Sequence, residues 1–172
     1  MKVPLDSIKE LRRITSASIA VCKDMLKEAN GDVQKAVELL RKRGLKIAAE
    51  KQDRTAKEGR VEAYVHTGNK IGVLLEVDCE TDFVARNSDF CQFTKDVAVQ
   101  ITASNPLYIK REDVPKDAAG EDKEQFYKEH CLLDQVFVKD PSITIKDYLG
   151  SLVAKFAENI VIRRFVRYRI GA

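Results

Sequence analysis

Apolar residues near the N-terminus recur every three or four positions, and from residue 61 they begin to alternate, so a helical start should give way to mixed structure. Ser7-Ile8-Lys9-Glu10 reads as a capping box opening a first helix through Leu11 and Ile14. After the polar break Thr15-Ser16-Ala17-Ser18, the spacing of Cys22, Met25, Leu26 and Ala29 predicts a second helix, which Asn30-Gly31 stops. Asp32 can cap a third helix carrying Val33, Ala36, Val37 and Leu40, with a basic last turn at Arg41-Lys42-Arg43 and an exit at Gly44. A bundle this small is marginal alone and suits a docking piece on a larger body. Residues 45–59, rich in Ala, Lys and Glu, read as a solvated linker helix.

Val61, Ala63 and Val65 then alternate with Glu62, Tyr64 and His66. The turn Thr67-Gly68-Asn69-Lys70 follows, and Ile71, Val73, Leu75 and Val77 resume the alternation. This predicts a β-hairpin with one buried face. A helix from about Asp89 to Thr102 places Phe93, Val97 and Ile101 on one stripe and ends at Asn105-Pro106. Residues 110–130 suggest one helix among loops. Thr144 to Asp147 forms a second capping box before Leu149, Leu152, Val153 and Phe156, and Ile160 to Ile170 alternates as a strand. The fold class is therefore α+β, with residues 1–53 as the helical unit and 54–172 as a core built on an antiparallel sheet.

Composition narrows the function. Of 172 residues, 44% are hydrophobic and 33% charged, which describes a chain that folds. Thirty basic against 27 acidic side chains are too balanced to mark a nucleic-acid or membrane-surface protein. The excess is local, since residues 1–53 hold 12 basic and 8 acidic side chains. No apolar run approaches a membrane span and no secretory leader opens the chain, so a cytoplasmic location and no membrane partner are expected. Cys22, Cys79, Cys91 and Cys131 lack zinc-ligand spacing and read as reduced thiols; no metal and no cofactor is expected.

The acid–base inventory is thin. His66 and His130 stand alone, and no metalloprotease, hydrolase or phosphate-loop motif occurs, so the chain is not expected to be an enzyme. One segment stands out: Cys79-Glu80-Thr81-Asp82-Phe83-Val84-Ala85-Arg86-Asn87 leaves a strand with acids on either side of a threonine and places an aromatic in the connection. Either Thr81 or Asp82 caps a helical turn while Phe83 folds back into the core, or an acid and an apolar wedge protrude toward a partner. Arg163, Arg164, Arg167 and Arg169 interleave with Phe165 and Tyr168, which fits RNA binding or an ordinary solvated sheet face.

Leu11-Arg12 with the Thr15 to Lys23 loop, Glu28-Ala29-Asn30-Gly31-Asp32, Thr81-Asp82-Phe83-Val84-Ala85-Arg86-Asn87, Phe137-Val138-Lys139-Asp140 and Glu158-Asn159-Ile160 follow one another in an order that resembles the elongation factor Ts family. The resemblance implies a guanine-nucleotide exchange factor for elongation factor Tu in its GDP-bound state. It further implies a ubiquitin-associated-like bundle that docks through Arg12, Ile19, Ala20 and Lys23, although periodicity alone allows Ile19 in the core. By the same resemblance, Thr81, Asp82, Phe83 and Val84 form a loop that intrudes on the magnesium and phosphate side of the partner's nucleotide pocket.

The chain departs from the family pattern in places. Ser18-Ile19-Ala20-Val21 replaces the common Gly-Met-Met-Asp, and Val136 replaces a proline. Gln100 stands where many members carry a histidine associated with disturbing the phosphate loop. The stretch 115–131 is short, and a single core unit resembles the family's short form, in which a homodimer and a heterotetramer with two copies of elongation factor Tu would complete the contact surface. No direct nucleic-acid contact is implied. The competing readings are a module binding a ubiquitin-like modifier and an RNA-binding protein.

Overall fold

The computed structural model describes residues 3–15 and 17–171; Ser16, inside the expected polar break, and residues 1, 2 and 172 lie outside the described residues. Three helices open the chain, α1 (Leu5–Thr15), α2 (Ile19–Glu28) and α3 (Val33–Lys51). Ser18 accepts a hydrogen bond from the Val21 amide and Asp32 one from the Lys35 amide, so α2 and α3 start on capping side chains. Between them Asn30 and Gly31 take positive φ values of 54° and 86°, and the Gly31 amide returns to the Leu26 carbonyl at 2.8 Å. Ile8, Leu11, Cys22, Met25, Leu26, Ala29 and Ala36 close a small hydrophobic cluster among the three helices.

Two expected boundaries are corrected here. The first helix starts at Leu5, not at Ser7: the Ile8 amide donates to the Pro4 carbonyl at 3.3 Å, because proline's fixed φ already suits a helix start. Gly44 does not end the third helix. It lies buried inside α3, and the residues expected to be a solvated linker continue the helix, with Ile47 and Ala48 packing on the second, larger core.

That core rests on a sheet of β1 (Glu58–Val65), β2 (Ile71–Cys79) and β5 (Val161–Arg169) in the order β1-β2-β5, antiparallel throughout. Between β2 and β5 the chain forms α4 (Asp82–Ala85), α5 (Ser88–Ser104), α6 (Lys123–His130), a small hairpin of β3 (Val136–Phe137) and β4 (Asp140–Thr144), and α7 (Ile145–Phe156). The capping box is formed as expected, with Thr144 and Asp147 exchanging side-chain-to-backbone hydrogen bonds at the start of α7. Phe90, Phe93, Val97 and Ile101 of α5 and Leu152 and Val153 of α7 bury against Val73, Leu75 and Val77 of β2. Among the described residues no helix is long and apolar enough to cross a membrane.

The hairpin's facing is also corrected. Val61, Ala63 and Val65 point outward, whereas Glu62 and Tyr64 turn toward the helices. Register decides this: Glu62 pairs with Leu75 and Tyr64 with Val73, and cross-strand partners share a face. Glu62 tolerates burial because Arg60 and the Thr94 hydroxyl donate to its carboxylate at 2.9 and 3.1 Å. The outer face is consequently apolar as well, carrying Val61, Val65, Leu74, Val166 and Tyr168. Of the C-terminal arginines, Arg163 and Arg164 pair with Asp78 and Glu76, and Arg167 donates to the Thr102 carbonyl at 3.2 Å.

α3 and α7 cross at their glycines. A Cβ added to Gly44 would lie 2.9 Å from the Gly150 carbonyl oxygen, and Arg41 pairs with Asp147 at 3.6 Å one turn away. Alanine normally favours a helix over glycine by about 1 kcal/mol, but here the neighbour is backbone and must move. Gly44→Ala should therefore lower unfolding stability by about 1–3 kcal/mol in urea titration. Unchanged or higher stability would show that the two helices separate freely.

Candidate partner-binding site

β2 leaves the core at Cys79, and only eight residues separate it from Ser88, where α5 begins to run back over the sheet. The connection is one helical turn. Thr81 is its cap, accepting the Val84 amide at 3.4 Å, and Asn87 caps α5 by accepting the Asp89 amide at 2.9 Å. A turn seated on the core can bury only one side. Val84 takes that side and Ala85 packs beside it, so Asp82 and Phe83 project away.

Phe83 is 84% exposed. Of the two readings left open by the sequence, the cap at Thr81 is present while the aromatic does not fold back. Asp82 is half-exposed and pairs with Arg86 one turn later at 3.1 Å, an exposed contact worth little on its own. The spur offers an apolar ring beside a carboxylate, both open to a partner.

Its base is held from another element. One carboxylate oxygen of Glu158 accepts the amides of Glu80 and Thr81 at 3.2 and 3.1 Å, and the other accepts the Thr81 hydroxyl at 2.6 Å. Cys79 lies beneath, its thiol donating to the Thr81 carbonyl at 3.1 Å. Burial, helped by the negative charge of Glu158, pushes that thiol up to about 11.

The second patch lies on the bundle. Arg12 on α1 and Ile19, Ala20 and Lys23 on α2 are all exposed, and Ile19, which periodicity left undecided, is 58% exposed. Arg12 shares a shallow groove with Lys9, Arg13 and Lys155 of α7. Lys155 also pairs with Asp89 in the first turn of α5, which links this groove to the helix that follows the spur.

Gln100 lies on α5, as the sequence pattern placed it, with its side chain turned inward. It is fully buried: the two hydrogens of Nε2 are shared among Ser104, Gln135 and the Val136 carbonyl, all within 3.2 Å, and Oε1 accepts the Val138 amide at 2.9 Å. It pins the small β3–β4 hairpin to α5, with its amide turned away from the surface.

The elongation factor Ts family model matches residues 6–125 and 122–172, nearly the whole chain. The chain belongs to the elongation factor Ts family. Proteins called elongation factor Ts from Caldanaerobacter subterraneus and Thermoanaerobacter sp. strain X514 are 46% and 47% identical over 98% of this chain and 97% and 95% of their own lengths. The protein of that name from Carboxydothermus hydrogenoformans is 47% identical over 95% of this chain and 87% of its own. This places the chain among translation elongation factors.

The family match breaks at residues 122–125, and the first two alignments run over 194 positions against 172 residues here, so these elongation factor Ts proteins carry residues that this chain lacks. The break falls inside the stretch read as short, at the start of α6. Sequence reasoning missed Glu158 and Lys155 as neighbours of the two patches. Glu158 was visible only as part of a motif with no assigned role and Lys155 only as a residue near a helix end, while their partners lie 77 and 66 residues away.

Thiol chemistry reports on the spur's base. Cys22, Cys79 and Cys131 are buried with thiols shifted upward, and Cys91 is the half-buried fourth. At pH 8, iodoacetamide should alkylate Cys91 first and leave the other three until denaturant is added, as mapped by mass spectrometry. Rapid labelling of Cys79 would show that the segment under the spur opens in the native state.

Proposed function

We propose that this protein is the guanine-nucleotide exchange factor of elongation factor Tu, acting on the GDP-bound form and performing no covalent chemistry itself. The observation that carries this reading is Phe83, an aromatic held 84% exposed on a capped, one-turn spur beside Asp82. Among the exposed large apolar residues described, Phe83 is the most open to solvent, and the capped turn beneath it fixes the ring where a partner can cover it.

The bundle residues Arg12, Ile19, Ala20 and Lys23 dock on the partner's GTPase domain. Phe83 then enters an apolar crevice beside the nucleotide site, and Asp82 competes for the contacts that organise magnesium and phosphate. Linkage sets the outcome: if the factor weakens nucleotide binding by some ratio, nucleotide weakens binding of the factor by the same ratio. Each tenfold loss of nucleotide affinity requires about 1.4 kcal/mol of binding directed to the open state, within reach of one buried aromatic. GDP leaves, and incoming GTP releases the factor.

Two copies pair through the outer face of the sheet, where Val61, Val65, Leu74, Val166 and Tyr168 stand exposed, and the pair carries two molecules of elongation factor Tu. The factor works in the cytoplasm. Pairing of Arg163 and Arg164 with sheet carboxylates leaves fewer free cations for RNA, which disfavours that alternative.

Phe83→Ala should keep its melting temperature, since the ring touches little of its own chain, and slow release of fluorescent GDP from elongation factor Tu roughly tenfold or more. Adding Asp82→Ala should deepen the loss. Parental rates in the double variant would discard the spur as the working element. Leu74→Arg should convert a dimer to a monomer in light scattering, and a parent protein already monomeric at micromolar concentration would remove the sheet interface from the scheme.

A further inference from the structure

The turn between α7 and β5 grips three parts of the molecule at once. Ala157 ends α7 in the left-handed region at φ 56°, its amide returning to the Val153 carbonyl at 2.8 Å, and so turns the next two residues toward the end of β2. Glu158 holds the Glu80 and Thr81 amides and the Thr81 hydroxyl. Asn159, buried, donates through its backbone amide to the Glu80 carboxylate at 2.6 Å and through Nδ2 to the carbonyls of Gln52 and Arg54 at 3.2 and 2.6 Å. Glu80 in turn pairs with Arg54 at 3.6 Å. Gln52 and Arg54 are the residues by which the chain leaves α3, the helix that carries the bundle.

We propose that Glu158 is a positioning residue for nucleotide exchange, fixing the angle and rigidity of the Phe83 spur, with Asn159 tying that spur to the exit of α3. The inference rests on the exchange reading above.

The chemistry is specific to a carboxylate. Three donors converge on Glu158, and only an ionised acid accepts all of them without presenting a proton of its own. Because the Thr81 hydroxyl spends its hydrogen on Glu158, its oxygen lone pairs are free to face the Val84 amide, which is the cap of the spur. Removing the acid frees that hydroxyl to rotate and leaves two backbone amides at the root of the spur without their partner. The spur is only four residues long, far too short to hold itself as a helix, so its direction depends on these anchors. Asn159 explains why the same turn reaches α3. A spur and a docking bundle that must meet one partner together need a fixed relation, and the bonds to Gln52 and Arg54 supply it.

Glu158→Ala and Glu158→Gln should be assayed for release of fluorescent GDP from elongation factor Tu across factor concentration, beside Phe83→Ala. Losing the charged acceptor should cut the maximal rate of Glu158→Ala about tenfold while the half-saturating concentration stays within about twofold, because the bundle face is untouched. Glu158→Gln keeps an oxygen for the backbone amides and should fall between the parent and Glu158→Ala. A parental maximal rate in both variants, with Phe83→Ala slow, would overturn the role of Glu158 and leave the spur standing. A normal Phe83→Ala would instead discard the spur as the working element, and a parent protein that releases no GDP would remove the exchange reading; this inference falls with either. Losses that follow only the folded fraction, with the half-saturating concentration rising in step, would also overturn it. Should Glu158→Ala not fold, hydrogen exchange on Glu158→Gln decides. The Val84 amide should exchange faster while β2 keeps its protection, and an unchanged Val84 amide would refute the proposal.

Discussion

Burial of the inner face of β2 under α5 is the contact on which everything else in this molecule depends. Val73, Leu75, Val77 and Cys79 form a continuous buried row against Phe90, Phe93, Val97 and Ile101, and each such side chain contributes roughly 1.5–3 kcal/mol. The row ends at Cys79 and the opposing helix begins at Ser88, so both ends of the intervening segment are fixed by packing. A segment that short can make one turn, and a turn lying on a surface has an inside and an outside. Val84 occupies the inside. The exposure of Asp82 and Phe83 follows from that geometry rather than from a flexible loop.

In the proposed role the spur must be stiff, since ordering it on binding would consume the free energy meant for the partner. The spur is held by caps at both ends and by the Glu158 carboxylate behind it. The bundle is held in a comparable way. α3 spans both hydrophobic clusters, its first turns closing the bundle and its last lying on the core, and the close approach at Gly44 and Gly150 sets α3 directly against α7. The exposed faces of the spur and of the bundle are thus mounted on helices whose positions the larger core determines.

Much of this was legible in the chain. The three N-terminal helices, the Asn30-Gly31 reversal, the Thr144 capping box and the stripe of Phe93, Val97 and Ile101 were visible because local hydrogen bonding and helical period decide them. The facing of β1 was not, because alternation reports that two faces exist and not which one the helices cover; a glutamate with two donors waiting for it went inward and three aliphatic residues went outward. Gly44 looked like a stop because glycine so often is one. Its real use, permitting two helix backbones to touch, involves a residue 106 positions away. Gln100 lies on a predicted helix, but its hydrogen bonds reach a hairpin that carries almost no period of its own.

The sequence by itself determined the caps that start α3 and α7, the turns, the α+β class and the presence of a segment whose aromatic wanted explanation. It also carried, in ordered motifs, the membership of the chain in its family. Only the tertiary structure decided that Phe83 points outward, that Gln100 points inward, that the sheet has a second apolar face and that an acid from the far end of the chain stands behind the spur. The reason is one of range: caps and periods act within about four residues, whereas the side a residue faces depends on what the rest of the chain places against it.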